Sequence, residues 1–475
     1  MTHPAKPVAY RPGHRARAAV RIFMVDRDAL YQRVAYLLLL LMGGYLFFDR
    51  AFAWFHVPGT PIFIGEVVLG AGLFVVYKSR KSVVFIRRSP AMQLLVVFMA
   101  FGLVLTLAGV GEHGQDALRD GALWYYGLFA LVTGTLFMAW QPAYDLFLRW
   151  YTKVIPAFLI VGLARLVLAN RPSWLVPDSD VPITSHKPGN IGVHAILLVA
   201  FLILVVAPGA TRKDAVRNAV LGVGGLILVV IAGTQNRGAM LAAALVLIWL
   251  FFSARRARPL MGGAIALLIG ALLLAFAVDL TVELERREFS VAQLWDNIVT
   301  LQIQNDSQEL VNDGTVAWRL KLWDLVVDDT LTAERFLSGF GFGTNLAGRF
   351  GFVAGGDGPE LRNPHNSHLS VMARMGLTGI GLWILLWVVW YRTLWKAARK
   401  FRYAGQDQKS GFLTWSMMAA TALLINGIFD PSLESPQAAV WLWTIFGAGA
   451  VLALDANTGH WRERRPSWAE TVTGE

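Results

Sequence analysis

Cysteine is absent from the 475-residue chain, which excludes a disulfide framework, a zinc–thiolate site and a cysteine nucleophile. Charge is scarce as well. Only 16% of residues are Asp, Glu, Lys or Arg, against about 25% in soluble domains, and that deficit excludes an ordinary cytosolic protein. Acidic residues are the rarer sign, 32 against 43 basic, for a formal charge of +11. In a soluble protein such an excess suggests nucleic acid. In a membrane protein it is topological, and no nucleic-acid partner is expected. What is abundant is apolar: 55% of residues are hydrophobic and the mean hydropathy is +0.50. These residues come in blocks of about 15 to 20, the length read as a transmembrane helix. They do not come as the alternating strands of about ten residues that build an outer-membrane barrel.

Twelve apolar segments predict an all-α polytopic membrane protein: 34–48, 62–77, 92–110, 122–139, 151–169, 191–207, 217–233, 238–252, 261–280, 377–395, 411–429 and 437–454. The first starts too late for a cleavable signal peptide, and no A-x-A-like site follows it. Several are short for a hydrocarbon core about 30 Å thick. Basic residues alternate between connections. Arg11, Arg15, Arg17, Arg21, Arg27 and Arg33 precede the first segment, and Lys78, Arg80, Lys81, Arg87 and Arg88 follow the second. Later clusters are Arg212, Lys213 and Arg217; Arg255, Arg256 and Arg258; Arg392, Lys396, Arg399, Lys400 and Arg402; and Arg462, Arg464 and Arg465. By the positive-inside rule both termini are expected to be cytoplasmic. The expected organisation is a basic tail (1–33), nine helices (34–280), a large periplasmic loop (281–364), a motif helix with three more spans (365–454) and a second tail (455–475). Within the loop, VAQLWDNIVTLQI (291–303) and TVAWRLKLWDLVVDD (315–329) have helical patterns, while GFGFGTN and AGGDGPE are loop signals.

Ionisable residues inside a bilayer are disfavoured and default to functional candidates. Glu66, Arg165, His194, Arg237, Asp279 and Asp430 all fall in the outer half, although charge at helix ends also arises by snorkelling, the plainer reading for Glu66, Asp279 and Asp430. Arg319 is sharper. At 100° per residue it falls in the middle of an apolar arc formed by Val316, Leu320, Leu322, Trp323, Val326 and Val327, opposite Lys321, Asp324 and Asp328. An unpaired guanidinium there is strongly disfavoured, so it needs an anion: a carboxylate elsewhere in the chain, or a phosphate, which its planar fork suits.

RNPHNSHLSVMARMGLTGIG (362–381) follows. Pro364 stands where a helix can begin, which puts His365, His368, Leu369, Met372 and Gly376 on one face and Ser367, Ser370 and Arg374 on the other. Two histidines one turn apart suggest metal ligation, but no helical carboxylate joins them at matching spacing, and no metal is expected. SHKPGNIG (185–192) carries His186 and Lys187, with Gly189 and Gly192 permitting close backbone approach. It reads equally as a pyrophosphate contact and as an ordinary loop with a basic residue.

The run His365, Asn366, nine residues, Gly376, two residues, Gly379 resembles the signature of bacterial O-antigen ligases, in the superfamily shared with O-antigen polymerases and protein O-oligosaccharyltransferases. TQNRGAM (234–240) is similar to that family's short outer arginine turn, carried onto Arg237. WRLKLWDLVVDD with GFGFGTN resembles the segment holding a second arginine, carried onto Arg319. The resemblance implies a GT-C-like fold and glycan transfer at the periplasmic face of the inner membrane. The donor would be O-antigen on undecaprenyl pyrophosphate, and the acceptor a sugar hydroxyl of lipid A–core oligosaccharide. His365 is then the general base, with His368 and Asn366 as secondary candidates. Arg237 and Arg319, helped by Lys187, Arg165 and His186, bind pyrophosphate without cofactor or metal. A transporter or flippase of lipid-linked glycans, the alternative of another class, would place essential charge near the midplane, which here is nearly empty of it.

Overall fold

The computed structural model describes residues 27–60, 62–168, 174–277, 282–283, 288–289, 317–332, 334–352 and 361–458. Among them the chain is almost entirely helical, apart from one antiparallel pair, Val282–Glu283 with Glu288–Phe289. The helices are α1 (Arg27–Ala53), α2 (Ile64–Lys78), α3 (Lys81–Arg88), α4 (Pro90–His113), α5 (Gln115–Asp120), α6 (Ala122–Tyr125), α7 (Leu128–Ala139) and α8 (Pro142–Leu168). They continue as α9 (Pro188–Phe201), α10 (Arg212–Gln235), α11 (Arg237–Ser253), α12 (Arg258–Ala277), α13 (Ala317–Thr330), α14 (Leu346–Arg349), α15 (Ser367–Tyr403), α16 (Asp407–Phe429) and α17 (Pro436–Thr458).

Each predicted apolar segment overlaps a helix among the described residues, though not every one of those helices is long enough by itself to cross a membrane. Among the described residues, eight helices are long and apolar enough to cross a membrane, nine when the pair Gln115–Tyr125 and Leu128–Ala139, bent by 43°, is taken as one. Helices α2 and α11, with 15 and 17 residues, are short for the bilayer, as their sequences foreshadow. The chain is thus an all-α polytopic membrane protein. Helix α1 begins at Arg27, inside the expected tail. The predicted helix at 291–303 and the tail after 458 lie outside the described residues.

Tryptophan organises the centre of the bundle. Trp390, Trp415 and Trp441 are fully buried, and their indole N–H groups donate to the carbonyls of Phe446 (3.1 Å), Leu197 (2.9 Å) and Met42 (3.2 Å) on neighbouring helices. Each ring supplies a large apolar surface while its polar atom stays satisfied. The spans run alternately up and down. One end of the bundle therefore collects the starts of α9, α11 and α15 with the ends of α10 and α16. The other end collects Lys78, Arg212, Lys213, Arg255, Lys400 and Arg402.

Helix α15 is broken at Gly376 (φ 62°, ψ −161°). The loop before α14 threads into the break: Phe340 N–H donates to Ala373 O (2.7 Å), Gly341 N–H to Arg374 O (3.1 Å) and Leu377 N–H to Phe336 O (2.8 Å). A Cβ on Gly376 would lie 2.5 Å from the Leu337 carbonyl carbon and 2.7 Å from Gly339 N. Both the left-handed backbone and the close approach demand glycine. Gly376→Ala is expected to lower stability by about 1–3 kcal/mol. Gly381→Ala, whose Cβ meets nothing within 4 Å, should hold or raise it. Thermal unfolding of both variants in detergent checks the difference; equal midpoints would refute the role given to the break.

Candidate functional site: a cationic pocket where three helices begin

The site forms around the last carbonyl of α16 and the residue after it, Phe429 and Asp430. Lys187, the residue before α9, donates its Nζ to Asp430 Oδ1 at 2.5 Å. Arg319 of α13 donates Nη1 to Phe429 O at 3.4 Å and stacks its guanidinium 5.4 Å from the Trp318 ring. Burial lowers the Arg319 pKa; nearby Asp430 raises it and nearby Arg237 lowers it. Arg237 is the first residue of α11. Gly238 beside it packs so closely on Phe429 that a Cβ would stand 3.0 Å from that ring. Ser367, the first residue of α15, donates Oγ to Asp430 O (3.3 Å). Three cations, one carboxylate and the N-termini of α9, α11 and α15 thus share one place. Each terminus adds roughly half a positive charge from its unsatisfied N–H groups.

Local sequence fixes these termini. Asn236 caps α11 by accepting from Ala239 N (2.9 Å), which sets Arg237 at its mouth. Asn366 caps α15, accepting from His368 N (3.0 Å) and Leu369 N (3.1 Å). Asparagine is a strong N-cap, so the helix starts at Ser367, three residues later than Pro364 suggests. That corrects the shared face expected for the two histidines: His365 lies outside the helix, in a left-handed turn (φ 54°). Its N–H donates to Asn363 Oδ1 (3.2 Å), its ring meets Trp318 edge-on at 5.6 Å, and Trp323 Nε1 donates to Pro364 O (2.7 Å). Burial pushes the His365 imidazole down to about 4; Arg319 acts with burial, Asp430 against it and Lys187 with it. The ring is neutral at pH 7. His368, one turn into α15, has both nitrogens engaged: Nδ1 accepts from Trp383 Nε1 (3.0 Å) and Nε2 lies 2.8 Å from Leu424 O.

Arg319 sits where helical winding puts it. Leu322 and Val326, close to its direction, are fully buried, with Trp318 and Trp323 flanking; Leu320, expected in the arc, is exposed. Arg165 is brought near the same end but faces backbone: Nη1 donates to Phe47 O (2.5 Å), and Nη2 to Thr184 O (3.3 Å) and Ser185 O. His186 is buried, with Nδ1 3.0 Å from Thr184 O. Gly189 and Gly192 make room for protein, not for a ligand. Added Cβ atoms would stand 2.9 Å from Asn426 Oδ1 and 2.8 Å from Ala239 Cβ. Glu66 accepts from Tyr125 (3.1 Å) and Tyr126 (3.0 Å), His194 packs on Trp441 at 4.8 Å, and Asp279 lies outside the described residues. No group of three or more His, Asp or Glu side chains placed to hold a metal ion occurs among the described residues.

Sequence reasoning missed the carboxylates. Asp430 reads as an ordinary helix-end charge, yet it faces Lys187, Arg319 and His365. The available signal was balance: three cations on one side of the membrane call for a counter-charge there. Asp49 of α1 is buried and accepts from Lys187 N (2.5 Å) and Asn190 Nδ2 (2.8 Å), which holds the strap before α9. Behind His365, Asn363 Nδ2 donates to Glu434 Oε2 (3.4 Å). Arg374, almost fully buried, pairs with Asp120 (3.0 Å), and Arg362 with Asp116 (3.1 Å).

Burial pushes the Glu434 carboxyl up to about 7 against the opposing pull of Arg374. The folded state therefore holds a proton that the unfolded chain, with its ordinary carboxyl pKa, releases earlier. The stability this contributes is full at low pH and fades as pH rises through about 7. Glu434→Gln keeps the hydrogen-bonding shape without the titration. Its midpoint relative to wild type should rise between about pH 5 and about pH 9; a constant difference across that range would refute the assignment.

Residues 222–384 match the family model described as O-antigen ligase. The matched segment contains Arg237, Arg319, His365, Asn366 and His368, and leaves Lys187, Asp430 and Glu434 outside it. No curated protein matches the chain. Over residues 222–384, about a third of the chain, the sequence is thus similar to the O-antigen ligase family model.

Proposed function

We propose that this protein is an O-antigen ligase, moving a glycan from undecaprenyl pyrophosphate to a sugar hydroxyl of lipid A–core oligosaccharide. The observation that carries the reading is the meeting of Lys187, Arg237, Arg319 and three helix N-termini beside a neutral His365. A dianionic leaving group belongs where fixed positive charge is concentrated. His365 Nε2 or Nδ1 takes the proton of the acceptor hydroxyl as its oxygen attacks the anomeric carbon. The bond from that carbon to the pyrophosphate oxygen breaks, and undecaprenyl pyrophosphate leaves with the electron pair. A single displacement inverts the anomeric centre. The three cations stabilise charge that grows as the bond breaks, which lowers the barrier more than it tightens ground-state binding. In this reading they do the work a divalent ion does elsewhere. Arg165 and Asp49 are positioning residues, holding the strap that presents Lys187.

The basic residues gathered at the opposite end of the bundle support an inner-membrane protein with cytoplasmic termini and a periplasmic site. A periplasm-dependent reporter is expected to be active when fused near 310 and silent near 405.

His365→Ala should lose transfer by at least about 10² while keeping donor binding. The wild-type kcat/KM should stay level as pH falls through 6 and drop only near the His365 value of about 4. Arg237→Ala and Arg319→Ala should weaken both donor binding and transfer, with Arg319→Lys a partial rescue because an ammonium lacks the bidentate fork. His368→Ala removes the partner of Trp383, so its effect should fall on thermal stability more than on rate per folded enzyme. Ligation and donor-binding assays on purified variants decide these points. Near-normal transfer by His365→Ala would exclude it as the base.

Transfer should also persist in excess chelator; loss that magnesium or manganese restores would overturn the arginine clamp. Since ligases and polymerases share the matched domain, the assay is run with rough lipopolysaccharide, a second donor lipid and a pilin-like protein as rival acceptors. Product with the first alone is the expected outcome.

A further inference from the structure

At the end of the bundle away from the site, α9, α10, α11 and α12 enclose a cavity of about 190 Å³. Helix α9 runs into it through a π-helical turn, Leu202–Val206, then a 3₁₀ turn, Ala207–Gly209. A π-helical turn is a local departure that often marks a functional position. The lining is apolar, mixing small residues such as Ala207, Ala215 and Gly222 with larger ones such as Leu226 and Met261, and it has one polar side chain, Asn218. Asn218 is 8% exposed, and neither its Oδ1 nor its Nδ2 has a hydrogen-bond partner among the described residues. A buried carboxamide with both ends unsatisfied is disfavoured, and its position in a cavity wall indicates what completes it. It needs one acceptor and one donor, carried on an otherwise apolar molecule.

Charge around the cavity narrows the choice. Arg212, Lys213 and Arg217 lie between the lining residues Ala210, Ala215 and Ala219, and Arg255 and Arg258 flank the lining residue Ala257. Against these five cations stands Asp214, already paired with Arg217 (3.2 Å) and Thr211 (2.7 Å). Arg258 donates Nε to Phe251 O (2.8 Å), while the side chains of Arg212, Lys213 and Arg255 are exposed. Basic pockets between transmembrane helices on such a face suit anionic lipid headgroups.

We propose that this cavity takes an acyl chain of an anionic glycerophospholipid from the surrounding leaflet. The lipid's phosphate rests among Arg212, Lys213 and Arg255. An ester carbonyl accepts from Asn218 Nδ2, and a headgroup hydroxyl donates to its Oδ1. Phosphatidylglycerol has all of these groups; phosphatidylcholine lacks the net charge and the hydroxyl. The inference is independent of the transfer chemistry at the other end.

The test uses the full chain purified in micelles supplied with equal phosphatidylglycerol and phosphatidylcholine, and counts retained lipids by native mass spectrometry. One phosphatidylglycerol per chain is expected to survive activation that strips phosphatidylcholine. A Cβ at Gly222 meets nothing within 4 Å, so Gly222→Leu fills open space and should cut that retention by about tenfold. Asn218→Leu, similar in size but apolar, should do the same and carries the test if Gly222→Leu fails to fold. Arg399→Ala, a cation lost elsewhere on the same end, should leave retention unchanged. Equal retention of both lipids by wild type, or undiminished retention in the folded cavity variants, would overturn the proposal.

Discussion

The contact between Lys187 and Asp430 sits where three cations and three helix N-termini meet. Lys187, Arg237 and Arg319 repel one another, and the starts of α9, α11 and α15 add to the same field. Left bare, that arrangement would be disfavoured in a partly buried pocket. Asp430 supplies the counter-charge while remaining one-fifth exposed, as is Lys187. Under the proposed function, an entering pyrophosphate would bring more negative charge than Asp430 and take over its contacts. The neutrality of His365 follows from the same field, because burial and the neighbouring Arg319 both oppose its protonation.

Rigid supports keep this field in place. Asp49 binds the backbone of Lys187 and the side chain of Asn190, and Asn426 reaches Asn190 from α16 (3.2 Å). Arg165 secures the preceding strap and the end of α1 through their carbonyls. On the other flank, the break at Gly376 lets the loop before α14 join α15, and the buried Arg374–Asp120 pair ties that region to α5. Removing one partner of a buried pair typically costs about 3–5 kcal/mol, so these charges hold the frame and are not available to a substrate.

The helices were legible because bilayer-length apolar blocks and the alternation of basic connections are properties of contiguous sequence. Arg319 was legible for a similar local reason: winding a single helix places it on the buried side. What could not be read was pairing across the chain. Asp430 and Lys187 are 243 residues apart, and nothing local marks either as the other's partner. The same holds for Arg165, whose guanidinium meets carbonyls of α1 and the strap, and for Gly189, whose space belongs to Asn426. The two histidines were confused by a competition of caps. Proline at 364 permits a helix to begin there, but asparagine at 366 caps one that begins at Ser367, and those three residues decide whether His365 lies on the helix or beside it.

The most direct measurement is photo-labelling of the full protein with a polyprenyl pyrophosphate carrying a photoreactive group on its first isoprene unit, which holds the label beside the phosphates. Adducts are expected on the peptides around Lys187–Asn190, Arg237–Met240 and Phe429–Ser432, and excess unlabelled undecaprenyl pyrophosphate should suppress them. Adducts confined to the opposite end of the bundle, or labelling of these peptides that the unlabelled lipid fails to displace, would contradict the placement of the pyrophosphate at Asp430.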